Sequence, residues 1–204
     1  MTRRLVQLYV GLVLYGISLA LMLRAGLGLD PWDVLHQGLE AHLPLTFGQV
    51  TIVVGALVLL AWIPLRQWPG IGTVSNVVVI GLAVDAALAV LPAPGSLPIR
   101  GAVLVAGVGL NGVATAAYIG ARLGPGPRDG LMTGLVSRTG GSIRLVRTSI
   151  ELTVLGCGWL LGGTVGVGTV LYAVSIGPLV HTLLPRLTVP EQPAEPAPSG
   201  RSLR

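Results

Sequence analysis

The sequence predicts an all-α membrane protein: six transmembrane helices as two three-helix inverted repeats, each with a short amphipathic or re-entrant helix. Three observations predict it. Of the 204 residues, 52% are hydrophobic and only 10% are charged, whereas soluble domains carry about 25% charged residues. The apolar residues come in blocks of span length, since a bilayer core of about 30 Å takes about 20 residues of helix to cross. Finally, the chain aligns with itself without a gap when residue 1 is set against residue 97, the signature of an internal repeat. A closed barrel is the other way to satisfy backbone hydrogen bonds in lipid. It needs alternating strands, and residues 57–60 and 77–84 do not alternate.

The first repeat covers residues 1–95, with spans at about 5–23, 46–63 and 73–91. The second covers 96–187, with spans at about 99–119, 145–161 and 169–184. Residues 188–204 are Pro-rich and read as a disordered cytoplasmic tail, too poor in apolar surface to order itself. Arg3 and Arg4 before an apolar run resemble a signal peptide, but the first segment has an internal counterpart and reads as a retained span. Gly11, Leu14, Gly16 and Ala20 fall on Gly107, Leu110, Gly112 and Ala116. Leu27, Gly28, Pro31, Asp33 and Leu35 fall on Leu123, Gly124, Pro127, Asp129 and Leu131. Gly70, Gly72, Thr73 and Ile80 fall on Gly166, Gly168, Thr169 and Ile176.

An odd number of spans per repeat inverts the second half relative to the first, an arrangement common among secondary transporters. The arginines agree with it. With both termini cytoplasmic, that side holds Arg3, Arg4, Arg66, Arg122, Arg128, Arg138, Arg144, Arg147 and the tail arginines, and the outside holds only Arg24 and Arg100. Residues 31–43 and 127–139 each start on Pro, with Asp33 or Asp129 in the first turn, and read as helices too short to cross. The interfacial, amphipathic placement is favoured over a re-entrant one, because Asp33, His36, Gln37 and Glu40 are costly to immerse.

The net charge of +5 and a pI near 10.3 do not point to nucleic acid. Every basic residue is Arg, and none forms a dense run with interleaved aromatics. Cys157 is alone in an apolar segment and offers neither disulfide nor metal cluster. No G-x-S-x-G, H-E-x-x-H or P-loop is present, so no enzyme, cofactor or metal is expected. Leu29-Asp30 is one residue out of register for an intramembrane aspartyl protease pattern.

Four stretches in order carry a resemblance: residues 26–35 (GLGLDPWDVL), 69–74 (PGIGTV), 124–131 (GPGPRDGL) and 162–170 (GGTVGVGTV). Together they resemble the YczE branch of the YitT-like bacterial membrane proteins, over everything up to the Pro-rich tail. The resemblance implies a multi-pass protein of the bacterial plasma membrane. It brings no substrate or catalytic residue with it. The soluble C-terminal domain of longer YitT-like members has no counterpart here, so no role of that domain is expected.

The candidate intramembrane polar site is Glu151, His181, Asp85, Arg147, Tyr15 and Asn111. Glu151 and His181 both fall about 10 Å inside the cytoplasmic edge on a count of about 1.5 Å per residue, with Arg147 one turn from Glu151. Such a cluster suits proton relay or a polar solute; it equally suits a structural tie between helices with Arg147 reaching to water. Asp85 is the repeat mate of His181. Tyr15 and Asn111 are mates near the midplane, where interhelical hydrogen bonding is the commoner role. Asp33 and Asp129, at the short-helix starts, read mainly as partners of the helix dipole. The glycine-rich starts at 70–73 and 166–169 read mainly as capped turns, with anion binding as the alternative. The expected function is a small-solute or ion transporter, its partners the bilayer and that solute. The rival is a membrane scaffold that holds a cytoplasmic partner or anionic lipid without transport.

Overall fold

The computed structural model describes residues 1–190; most of the tail expected at 188–204 lies outside the described residues. Among those described there are eight helices and no strand: α1 (Thr2–Ala25), α2 (Pro31–Glu40), α3 (Phe47–Leu65), α4 (Ile71–Val90), α5 (Leu97–Gly120), α6 (Pro127–Thr139), α7 (Ile143–Leu160) and α8 (Val167–Leu187). Five of them, α1, α3, α4, α5 and α8, are long and apolar enough to cross a membrane. The sixth long helix, α7, carries Arg144, Arg147 and Glu151 within its 18 residues. The described residues are therefore all-helical outside their connections, with five candidate membrane spans.

At the centre α1 packs along α5; α4 lies on α1 and α8 on α5. Glycines set the closeness of these crossings. A Cβ on Gly11 would stand 2.9 Å from the Tyr118 backbone nitrogen, and one on Gly107 2.9 Å from the Met22 side chain. The core between them is Leu8, Leu12, Leu19, Met22, Leu104 and Val108. Small residues that let backbones approach are the usual glue between membrane helices, where lipid is as apolar as any side chain. Arg100 ties the α1 end across to α5, donating to the carbonyls of Ala25 and Gly26 at 2.7 Å each. Arg24 bonds the Leu88 carbonyl of α4 at the same end.

Contacts recur between equivalent positions of the two halves. Gly72 N–H donates to Leu123 O at 2.8 Å, and its repeat mate Gly168 N–H donates to Leu27 O at 2.8 Å. Beside these bonds, Gly124 (φ 132°) faces Thr73 and Gly28 (φ 116°) faces Thr169, both in the left-handed region that only glycine adopts without strain. Thr73 and Thr169 accept from the backbone N–H of Gly70 and Gly166. The starts of α4 and α8 are thus clasped by the loop of the opposite half, and the N–H groups of Gly72 and Gly168 that an anion would need are spent there.

The short helices correct an expectation. An interfacial helix would show its polar face to water, yet Asp33 and His36 are 1% and 2% exposed. The polar face of α2 turns into the protein, because partners for its charges stand on α6 and α3. Packing follows the same exchange: α2 lies on α7 and α3, while α6 lies on α3 and α7.

The close crossing of α1 and α5 is testable. Gly11→Ala, which drives a methyl onto the Tyr118 backbone, should cost about 1–3 kcal/mol by overpacking. Gly109→Ala, with open space at its Cβ, should be neutral or slightly stabilising through helix propensity. Thermal unfolding of both variants in detergent micelles reads the difference.

Candidate functional site

The loop before α2 and the loop before α6 place the charged groups. Asp30 caps α2, its Oδ1 accepting from Trp32 N–H at 2.8 Å and Asp33 N–H at 3.1 Å, with Pro31 at the first helical position. At the equivalent place Gly126 caps α6 without a side chain, and the Asp129 carboxylate turns back onto the Gly126 N–H. Trp62 of α3 pins this turn, donating from Nε1 to Pro127 O at 3.0 Å.

Those two helix starts meet. Arg128 Nη1 lies 3.5 Å from Asp30 Oδ1 and Nη2 lies 3.6 Å from Asp33 Oδ1, while its guanidinium sits 5.0 Å from the centre of the Trp32 ring. Trp32 and Arg128 are repeat mates, so the second half supplies a cation where the first supplies an aromatic face. His36 Nδ1 stands 3.2 Å from Asp33 Oδ1 and 3.4 Å from Thr51 Oγ1 of α3. Both aspartates are about 1% exposed, and Oδ2 of each has no hydrogen-bond partner among the described residues.

This cluster borders a cavity of about 470 Å³. Its walls come from α1, α5 and α8 (Tyr15, Tyr118, Tyr172), from α3 and α4 (Thr51, Val58, Val77), and from α7 (Arg147, Glu151). Three of the four tyrosines of the chain therefore face one space. Tyr15 and Tyr118 pack edge to face at 6.1 Å. Asn111 stands behind the wall, accepting from Tyr172 Oη at 3.1 Å and donating to Ser18 Oγ at 2.9 Å.

Of the residues singled out from the sequence, the cavity collects Tyr15, Asp129, Arg147, Glu151 and His181. Glu151 and His181 share it without touching. Glu151 accepts from Arg147 Nε at 2.9 Å, and no hydrogen bond or ion pair joins it to His181 among the described residues. Asp85 is elsewhere: its carboxylate accepts from Thr46 Oγ1 and from Gly48 N–H (2.8 Å), fastening α4 to the start of α3. Asp33 is more than a dipole partner, being bound up with Arg128 and His36. The residues the sequence reading missed are Asp30, Arg128, Tyr118 and Tyr172. One signal was available for Arg128: an arginine opposite a tryptophan in an otherwise matching Pro-x-Asp start.

The family model described as a family of unknown function, DUF6198, matches residues 2–185. An uncharacterised protein of Haemophilus influenzae is 41% identical over 177 residues, covering 87% of this chain and 81% of the relative. The uncharacterised membrane protein YczE of Bacillus subtilis is 38% identical over 181 residues, covering 87% of this chain and 84% of its own length. The YczE resemblance read from four sequence stretches is borne out. No solved structure matches.

Removing one partner from a buried ion cluster costs about 3–5 kcal/mol, so Arg128→Gln should destabilise the protein by that order. Adding Asp33→Asn should return part of the loss. The exposed Arg147–Glu151 pair should count for less than about 1 kcal/mol. Because Glu151 and His181 do not touch, the effects of Glu151→Gln and His181→Gln should add within about 0.5 kcal/mol. Denaturation of the single and double variants in micelles measures all of these, and a coupling above about 1 kcal/mol would contradict the separation of Glu151 from His181.

Proposed function

The chain belongs to the DUF6198 family, and on that premise we propose that it is a small-solute permease working by alternating access between two inverted three-helix repeats. The arginine distribution supports cytoplasmic termini, although Arg128, whose side chain is 27% exposed, serves the interior and leaves that tally. In this topology α2 and α6 enter from opposite faces and meet at their N-terminal ends through Arg128. Such short helices are tolerated at membrane depth when protein shields them. The charges of α7 fit the same reading, since Arg147 and Glu151 border the cavity, and ionisable residues in spans ordinarily face such a cavity.

One observation carries the proposal. Helix α3 packs directly on α4, while the equivalent pair, α7 and α8, scarcely touch. On the closed side Gly48 meets Gly81, Gly55 meets Val77, and Asp85 fastens the end. On the open side the matching positions are Arg144, Gly177, Glu151, Ala173 and His181, and of these Glu151, Gly177 and His181 line the cavity. Two repeats of one ancestral shape held in different conformations, with the cavity between them, are what a rocking transporter presents in one of its end states. The open side would be cytoplasmic and the closed side external. A scaffold has no need of a second arrangement.

Cysteine cross-linking in a Cys157→Ala background tests this. Gly55→Cys with Val77→Cys, whose Cβ atoms would lie 3.4 Å apart, is near disulfide geometry and should cross-link as the protein stands. The mates, Glu151→Cys with Ala173→Cys, should cross-link only if α7 closes on α8. Partial formation of both bonds in membranes supports alternation. Formation of the first alone, however long the oxidation, would contradict it.

A further inference from the structure

We propose that the cavity binds an organic ammonium ion, with the Asp30 carboxylate as its counter-charge and the tyrosine wall as its apolar seat. The inference rests on the permease reading and names its substrate class.

The charges around the cavity do not balance. Asp30, Asp33 and Asp129 stand at the two helix starts against one cation, Arg128. Arg147 and Glu151 cancel each other in their own ion pair. His36 turns Nδ1 toward Asp33 and Thr51, and His181 lies exposed on α8. Even crediting each helix N-terminus with about half a positive charge, the group keeps a negative excess. A buried negative excess is stabilised by a positive partner beyond these hydrogen bonds, a ligand or, without one, a proton. Arg128 is already committed to Trp32, Asp30 and Asp33. Asp30 borders the cavity, and its Oδ2, itself covered by the protein, has no hydrogen-bond partner among the described residues.

The wall supplies the rest of the recognition. The chain has nine aromatic residues (Trp 4, Tyr 4, Phe 1), and Tyr15, Trp32, Tyr118 and Tyr172 all border this one space. Aromatic faces around a desolvated cation contribute about 2 kcal/mol or more, and an isolated aliphatic cavity would do as well for a neutral solute without them. The size, about 470 Å³, is in the range of about 300–1,000 Å³ of small-molecule sites. Half-helix N-termini aimed at a cavity ordinarily suggest an anion. Here both are taken by the protein itself: Asp30 occupies the start of α2 and Asp129 the start of α6.

Three probes of one shape separate the possibilities in the full-length protein in micelles. Phenethylammonium, 2-phenylethanol and phenylacetate differ in charge and share the ring. Titration calorimetry should show saturable binding of phenethylammonium, at least tenfold tighter than the alcohol, and none of phenylacetate. Asp30→Asn, which keeps the helix cap, should weaken the ammonium at least tenfold and leave the alcohol unchanged. Equal binding of ammonium and alcohol, preference for phenylacetate, or an Asp30→Asn variant that binds the ammonium as tightly as the natural chain would each overturn the inference. If Asp30→Asn does not fold, the comparison of the three probes decides alone. Because equilibrium binding needs no movement of α7 against α8, failure of the permease reading leaves this result readable.

Discussion

The arrangement of this protein depends on how two carboxylates and one guanidinium are kept out of water. Asp30 and Asp33 are nearly inaccessible, and Arg128, about a hundred residues away in sequence, is the group that makes their burial tolerable. An uncompensated charge there would cost several kcal/mol. The cluster therefore fixes the mutual position of α2 and α6, and through them of the helices on which they lie. Trp62, holding the Pro127 carbonyl, and Thr51, beside His36, carry that constraint to α3. The cavity lies beside these two helix starts.

The second constraint is the pairing of equivalent backbones. Leu27 with Gly168 and Leu123 with Gly72 make the same bond in two places, which sets α4 and α8 alike against the opposite half. Against this shared frame the difference between α3–α4 and α7–α8 stands out. Gly48 and Gly55 on α3 are replaced by Arg144 and Glu151 on α7, so a closed α7–α8 pair has to seat these side chains otherwise than the glycine crossing of α3 on α4 does. The sequence has diverged where the packing has diverged. Asp85, fastened to Thr46 and Gly48, and its mate His181, exposed on α8, mark the two ends of that divergence.

Much of the fold was legible beforehand because hydrophobic blocks and an ungapped self-alignment both survive in one dimension. The expected span at 5–23 became α1 and that at 169–184 became α8, with ends shifted by a few residues as caps rather than hydropathy determine them. The polar site was less legible. Periodicity shows that α2 has a polar face but not what that face meets, so His36 and Asp33 were expected in water. Their partner Arg128 is remote in sequence and was counted among cytoplasmic arginines. Depth counting placed Glu151 and His181 at one level, and they do border one cavity; direction around the helix axis, which depth cannot supply, keeps them apart. Asp85 was grouped with them as a buried ionisable residue, and its role as a fastening between α3 and α4 needed the coordinates.

The most direct test of the account is the distance across the open side. Spin labels at Leu145 of α7 and Arg186 of α8, both exposed, in the Cys157→Ala protein reconstituted in lipid, report that distance by pulsed electron resonance. The account predicts two populations, a wide one matching the present arrangement and a shorter one in which α7 has closed on α8. A single wide population, unchanged with and without phenethylammonium, would contradict the alternation on which the proposed function rests.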